Sequence, residues 1–379
     1  MTKLMIVIHS LRGGGAERVL INLLKGLDRS EFSINLVLYE GVFDYPLPDN
    51  IEVAILDIGA SRNLFKLIRG FVLKIIRLAL LFRRKRPDVI FSLLSSTNVA
   101  VIIAKVLSRT KSKLIVSEHT YPSVNLANEM YGGITRLFIK RCYPEADRII
   151  AVSESIKQDL VLNFHFPETK IEVVYNPVDI GEIERLSKET VEHPWFHDKT
   201  PVIVSVGRLT KQKGYPYLLH AFSLAKKHLS CRLAIIGDGE DKAKLLGMAK
   251  GLGVEREVEF LGFQKNPFKY LARSSLFVLS SLYEGFPNVI LEAMALGLPV
   301  ISTDCPSGPA EIIEDKKSGL LVPVRDEQAL AGAIMAVMTD ERLRESLGRE
   351  ARQRAGTFAL EKIAKDYRRV FSDNSPSPS

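Results

Sequence analysis

Short runs of aliphatic and β-branched residues alternate along the chain with longer stretches in which apolar positions recur every three or four residues. Lys3 to His9, Ser33 to Tyr39, Ile51 to Ile55, Asp88 to Leu94, Lys113 to Ser117 and Arg148 to Val152 read as strands. Helical patterns lie between them, among them Ala16 to Leu27 and Asn63 to Arg84. After the segment Glu192 to Asp198 the same order restarts. Strands are predicted at Pro201 to Val206, Cys231 to Ile236, Val258 to Leu261, Leu276 to Leu279, Pro299 to Ser302 and Gly319 to Val322, with a helix at Tyr215 to Lys227. Strand and helix taking turns implies parallel strands joined by crossover helices. The pattern therefore predicts an α/β fold of two Rossmann-like halves joined near residue 195, facing each other across a deep cleft. Such halves bind ligands at the carboxyl ends of their strands. A last helix is expected at Leu360 to Phe371, followed by a disordered tail at Ser372 to Ser379, rich in Ser and Pro.

Length changes this picture little, since 379 residues suffice for two full cores. Three cysteines without metal-ligand spacing (Cys142, Cys231, Cys305) fit a reducing cytoplasm. No run is long and apolar enough to span a bilayer or serve as a signal peptide. Charge matters more. The net formal charge is +8, yet between Ile58 and Pro87 there are nine Lys or Arg and no Asp or Glu. One segment makes the chain basic. On a helix of period 3.6, Lys66, Arg69, Lys74 and Arg77 share an arc with Arg84, opposite Leu64, Ile68, Phe71, Val72, Ile75, Leu78, Ala79 and Phe82. A solvated face on a core-packed helix is one reading. Contact with anionic lipid head groups or a lipid-linked diphosphate is the other, because clustered cations are attracted to such surfaces. Nucleic acid is not expected, for no stacking platform or groove-reading motif accompanies the charge.

The candidate chemistry lies in loops that follow strands. Glu284-Gly-Phe-Pro-Asn-Val-Ile-Leu-Glu292 places two carboxylates around a tight turn that opens a helix. Amide groups at a helix start make an anion site, and flanking carboxylates suit sugar hydroxyls, a combination that a nucleotide-sugar requires. Gly207-Arg208-Leu-Thr-Lys211-Gln-Lys213-Gly214 puts two cations, Arg208 and Lys213, on a glycine-bounded loop suited to a diphosphate. Gly13-Gly14-Gly15 joins the first strand to the first helix, either as a plain tight turn or to let backbone approach a phosphate or sugar. Asp238 and Glu240 beside Gly237 could instead cap the following helix. Neither half carries the Gly-x-Gly-x-x-Gly dinucleotide fingerprint, which excludes a dehydrogenase.

Taken together, the Glu-x7-Glu segment, the Arg-x4-Lys loop and the N-terminal glycines resemble the retaining GT-B glycosyltransferases of family 4, over most of the chain from Gly13 to the final helix. The resemblance implies domains at 1–195 for the acceptor and 196–357 for the nucleotide-sugar, with helix 358–371 crossing back to the first. It implies catalytic roles for His119, Arg208, Lys213 and Glu284. Donor-binding roles fall to Gly14, Gly15, Gly237, Phe263, Phe286, Pro287, Asn288, Val289 and Glu292. Among these, His119 and Glu284 would meet the donor sugar, Glu292 the ribose, the backbone near Phe263 the base, and the amides of Asn288 and Val289 the β-phosphate. Lys66, Arg69, Lys74 and Arg77 would hold the acceptor or the membrane.

The implied activity is transfer of a hexosyl or N-acetylhexosaminyl group, with retention, from a UDP-linked sugar to a lipid-linked oligosaccharide. The place would be the cytoplasmic face of the cell membrane. A nucleotide-sugar 2-epimerase of the same fold and a non-catalytic membrane-bound scaffold are the alternatives. No cofactor is expected. Metal-dependent glycosyltransferases of the other main fold hold their cation with Asp-x-Asp, which is absent from this sequence. Turnover is therefore expected to persist in chelator without Mg or Mn; its complete loss there would overturn that expectation.

Overall fold

The computed structural model describes residues 1–58, 64–128 and 131–373, and of residues 64–67 the backbone alone. The expected tail thus lies, from 374 on, outside the described residues. The chain forms two compact units, Met1–Pro177 with the residues from Leu360 onward, and Val178–Ala359.

The first unit runs β1 (Thr2–Ile8), α1 (Gly15–Gly26), β2 (Phe32–Leu38), β3 (Glu52–Ile55), α2 (Leu64–Lys85), β4 (Val89–Leu93) and α3 (Ser95–Ser108). It continues with β5 (Lys113–Glu118), α4 (Pro122–Ala127), α5 (Gly132–Cys142), β6 (Arg148–Ala151), α6 (Glu154–Phe164) and β7 (Ile171–Val173). The second unit runs α7 (Ile180–Ser187), β8 (Val202–Val206), α8 (Tyr215–Ala225), β9 (Arg232–Ile236), α9 (Lys242–Gly251), β10 (Val258–Gly262) and α10 (Phe268–Leu271). There follow β11 (Leu276–Leu279), α11 (Asn288–Ala295), β12 (Val300–Thr303), α12 (Pro309–Ile312), β13 (Leu320–Val322), α13 (Glu327–Thr339) and α14 (Glu341–Ala355). Helix α15 (Leu360–Ser372) returns the chain to the first unit.

Each unit is one wholly parallel sheet, ordered β3-β2-β1-β4-β5-β6-β7 and β10-β9-β8-β11-β12-β13. Helices cover both faces of such a sheet, which is why its strands read as unbroken apolar runs. Leu4 to Ile8 of β1 are each no more than 1% exposed. The predicted strands appear within one or two residues of their expected ends. Strand β7 had no signature, being three residues long after Lys170.

The units divide at Pro177, earlier than the 195 read from the sequence. The segment Glu192 to Asp198, after which the sequence pattern restarts, is fastened to the second unit. Phe196 meets Tyr270 edge to face, with ring centroids 5.2 Å apart, and Asn266 donates to the carbonyl of Leu186 at 2.9 Å. Among the described residues, no helix is long and apolar enough to cross a membrane.

Helix α15 completes the first core. Tyr367 and Phe371 are at most 1% exposed and pack their rings against Phe91. Lys113 closes the helix end by donating to the Val370 carbonyl at 2.7 Å, as a cation does at a helix C-terminus. Truncating Phe371 to Ala should cost about 3 to 5 kcal/mol of unfolding free energy, measured by urea denaturation. A loss below about 1 kcal/mol would show that α15 is not part of the core.

Candidate active site

In the second sheet, β8 lies between β9 and β11, so the chain winds outward from it in both directions. The loops that leave neighbouring strands at such a reversal diverge, and the gap at their carboxyl ends is where open α/β sheets hold ligands. Arg208 and Lys213 stand on the connection after β8, Glu284 to Pro287 on the loop after β11, and Asn288 opens α11. The sheet order alone brings the two strongest sequence motifs to one place.

Their contact is an ion pair. Lys213 Nζ lies 2.6 Å from Glu284 Oε1, with side chains 14% and 8% exposed. Ser281 Oγ donates to the same Oε1 at 2.6 Å, so Oε2 is engaged by neither donor. The loops are also stitched through backbone. Leu282 N donates to Gln212 O at 2.8 Å, Gln212 Nε2 to Tyr283 O at 3.0 Å, and Ser280 Oγ to Lys213 O at 2.9 Å. Gly214 makes the approach possible: at φ +61°, an added Cβ would sit 2.1 Å from Ser280 O. The loop after β12 closes the floor, with Glu284 N donating to Pro306 O and Ser307 Oγ to Gly285 O at 2.6 Å. Cys305 is buried here, and burial together with the Glu284 charge raises its thiol pKa, so it stays protonated.

Around this pair the other expected donor residues fall as follows. Arg208 is exposed on the same loop as Lys213. Pro287 precedes the first turn of α11, whose opening amides, including those of Asn288 and Val289, lie outside the i→i−4 ladder. Phe286 is 5% exposed and packs on Phe358. Glu292 is a buried carboxylate on α11, 5% exposed. Gly237, the residue after β9, lies against the Gly207 carbonyl. Phe263 follows β10, the edge strand, and is 53% exposed. Neither Asp238 nor Glu240 caps α9: the N-cap position is Asp241, and Asp238 accepts instead from the Gly239 amide at 2.9 Å.

The first sheet reverses between β1 and β4. The glycine loop follows β1, Ser95 to Asn98 follow β4, and His119 follows β5. Gly13 N donates to Asp44 Oδ2 at 2.9 Å, which fixes the loop. At Gly14, the N-cap of α1, an added Cβ would lie 2.2 Å from the Glu17 carboxylate. A carboxylate of the chain itself therefore lies at that helix start beside Gly14 and Gly15. His119 Nε2 lies 3.0 Å from Ser117 Oγ, while Nδ1 is buried without a protein partner. Burial lowers the pKa of this ring to about 3, so it is neutral at physiological pH.

Beneath His119 is a buried hydrogen-bonded cluster, of which Tyr143 gave no sequence signal. Glu118, 0% exposed, accepts from Tyr143, from Ser95 Oγ at 2.8 Å and from Asn98 Nδ2 at 3.3 Å. Asn98 Oδ1 in turn accepts from Ser92 Oγ at 2.7 Å. Burial raises the Glu118 pKa to about 7, against the lowering pull of those hydrogen bonds. Tyr143 is far away in sequence and looks like any core aromatic; only the fold exposes its partnership. Ser281 did carry a signal, standing three residues before Glu284.

The basic helix departs from expectation. Lys74 turns inward, its Nζ 4.7 Å from the centre of the Tyr39 ring, next to the His9–Glu40 pair at 3.4 Å. Arg77 donates to the Leu56 carbonyl; both it and Arg69 are exposed, and the Lys66 side chain lies outside the described residues. Ile68 and Val72, assigned to the core face, are 53% and 47% exposed. Among the described side chains of the helix, those buried in the core, Ile75, Leu78, Ala79 and Phe82, lie in its second half. The cause is length. Twenty-two residues span roughly 33 Å, whereas the five residues of β4 span about 17 Å, so the first half overhangs. Among the described residues, no His, Cys, Asp and Glu side chains group as a metal site would require.

Comparison with known proteins divides the chain between residues 182 and 187. The model of the family described as Glycosyltransferase Family 4 matches residues 13–182, and that described as Glycosyl transferases group 1 matches residues 187–354. The N-acetylgalactosamine-N,N'-diacetylbacillosaminyl-diphospho-undecaprenol 4-alpha-N-acetylgalactosaminyltransferase of Campylobacter jejuni is 35% identical over 97% of this chain and 98% of its own. A second enzyme of that organism is 28% identical over 98% and 99%. It is an α-1,4-N-acetyl-D-galactosaminyltransferase acting on GalNAc-alpha-(1->4)-GalNAc-alpha-(1->3)-diNAcBac-PP-undecaprenol. In fold, the chain matches Anabaena HepE in complex with UDP and glucose, with a TM-score of 0.78 and 21% identity, over 98% of this chain and all of that one.

His119 and Glu118 bear on stability in opposite senses. Between pH 6.5 and about 3 the unfolded His119 ring binds a proton that the native ring does not, so its contribution falls as pH drops through 6.5. Native Glu118 keeps its proton up to about pH 7, whereas the unfolded carboxyl releases it near 4.5, so its contribution falls as pH rises between them. Urea unfolding from pH 4.5 to 7 should show H119Q losing less stability on acidification than the parent, and E118Q losing less on alkalinisation. Three parallel curves would refute both assignments.

Proposed function

The chain belongs to the family 4 glycosyltransferases, with the GT-B pair of Rossmann-like units, and from that membership we propose how it works and on what. The donor is a UDP-linked hexose or N-acetylhexosamine, and the acceptor a hydroxyl of a polyprenyl-diphosphate-linked glycan. The acceptors named for the two Campylobacter relatives support this reading, as does the chemistry of the second-unit site.

The observation that carries the proposal is the Lys213–Glu284 pair at the reversal of the second sheet. As the bond from sugar to diphosphate loosens, negative charge grows on the leaving phosphate oxygens. Arg208, Lys213 and the opening amides of α11 are aimed at that charge before the reaction begins. Fixed donors of this kind form the largest electrostatic lever in most enzymes. Glu284, held through Oε1, offers Oε2 to a donor-sugar hydroxyl; Glu292 serves the ribose. His119 is neutral and offers Nδ1 to a sugar hydroxyl without a competing positive charge. Gly14, Gly15 and Gly237 let backbone approach the donor, and the base lies near Phe263. The departing phosphate takes the acceptor's proton on the face it leaves, so the anomeric configuration is retained and no protein nucleophile is required. Cations of the chain replace a divalent metal. The acceptor's lipid keeps the enzyme at the anionic inner face of the cell membrane.

Arg208→Ala should lower kcat by about a hundredfold, in line with the loss of one oxyanion donor, with no change in melting temperature because Arg208 is exposed. Lys213→Ala should lower both, since it leaves the Glu284 carboxylate buried without its cation. A panel of UDP- and GDP-sugars ranked by thermal stabilisation identifies the donor. Full activity in both variants would remove the diphosphate clamp from the mechanism.

A further inference from the structure

Among the described residues, most of the exposed large apolar side chains lie on three neighbouring helices. Ile68, Val72, Ile76 and Leu80 form a stripe of spacing four along α2, 47% to 57% exposed. Val106 and Leu107 end α3, at 50% and 52%. Ile134, Leu137 and Phe138 on α5 are 57%, 68% and 41% exposed. The helices are contiguous: α2 packs along α3, α3 meets α5, and the Phe71 and Phe138 rings join α2 to α5 with centroids 6.4 Å apart. Their strands step across the sheet in one direction, β3 to β4, β4 to β5 and β5 to β6, with only β3 set apart. Right-handed crossovers then put all three helices on one side of the sheet.

The charge on these helices is of one sign. Segments 64–86, 95–112 and 132–142 hold fourteen Lys or Arg and no Asp or Glu, against an excess of eight over the whole chain. The remainder of the protein is therefore net negative. Some of these cations are spent on the fold, as Arg83 is on the carbonyls of Leu107 and Ser108. Arg69, Arg84, Arg86, Arg109, Lys111 and Arg141 are exposed.

We propose that the outer face of α2, α3 and α5 docks in the interface of an anionic bilayer, its apolar side chains inserted among the acyl chains and its cations among the head groups. The pairing of the two features selects this occupant. An apolar centre alone would suit many partners, but a rim of one sign requires a negative surface. A second copy of the face would bring cations against cations. A nucleic acid would leave the apolar stripe against phosphate. This deepens the reading of a lipid-linked acceptor and rests on it for purpose, though not for geometry. It also replaces the basic arc read from the sequence: Lys74 faces the fold, Arg77 is exposed but tied to the Leu56 carbonyl, and Ile68, Val72, Ile76 and Leu80 face the lipid.

The test is co-flotation of the full chain with vesicles containing phosphatidylglycerol, or with vesicles of phosphatidylcholine alone, and thermal shift by UDP is measured in parallel. Binding is expected to the anionic vesicles only and to weaken with added salt. I76E with L137E should lower the partition coefficient at least about tenfold without altering the UDP shift. L246E, which removes an equally exposed side chain of the second unit, should change neither. No flotation of the parent, or flotation unaffected by I76E with L137E, would overturn the proposal, as would a self-association that those two changes abolish. Flotation as expected without any UDP shift would instead count against the donor assignment and leave this face standing.

Discussion

A sheet wound outward in both directions from one strand cannot close over its own carboxyl edge, and that constraint determines where this protein keeps its chemistry. In the second unit the gap opens between β8 and β11. Lys213 and Glu284, 71 positions apart, meet across it. Two charges so little exposed are costly unless paired and further hydrogen-bonded, and here Ser281 bonds the Glu284 carboxylate while backbone bonds hold the two loops together. The pair is thus already desolvated and oriented. On the proposed reading, a diphosphate and a sugar hydroxyl would find fixed partners instead of water to be displaced.

The first unit handles polarity in the opposite way. Around β5 the groups are buried in forms that avoid charge: a neutral His119 ring and a Glu118 carboxyl inclined to keep its proton. Low dielectric makes each such bond count for more, and makes each missing one costly. The Glu118 cluster ties the turn after β4 to the strand that presents His119. That gives an irregular edge the rigidity that a positioned imidazole needs.

Helix α2 links the two properties of the first unit. Its seated half is ordinary core. Its first half turns Lys74 toward Tyr39, His9 and Glu40, at the carboxyl ends of β1 and β2, and leaves Ile68 and Val72 outward. A helical wheel has no access to this division, because it treats every turn as if the same surface lay beneath it. The sequence pattern placed Ile68 beside Phe82 for that reason; the sheet ends before Ile68 is reached.

What the sequence determined by itself was local and periodic. Buried parallel strands must be apolar throughout, so every strand of more than three residues was legible. Loops that carry Gly, Arg, Lys and Glu after a strand announce candidate chemistry by composition, and Glu284, Arg208 and Lys213 were singled out that way. Tertiary structure alone decided which of these residues meet, where the units divide, and what lies under His119. Ion pairs such as Lys213–Glu284, and hydrogen bonds such as that of Tyr143 to Glu118, join positions distant in sequence. No period or spacing encodes them; they exist only once strand order has brought the loops together.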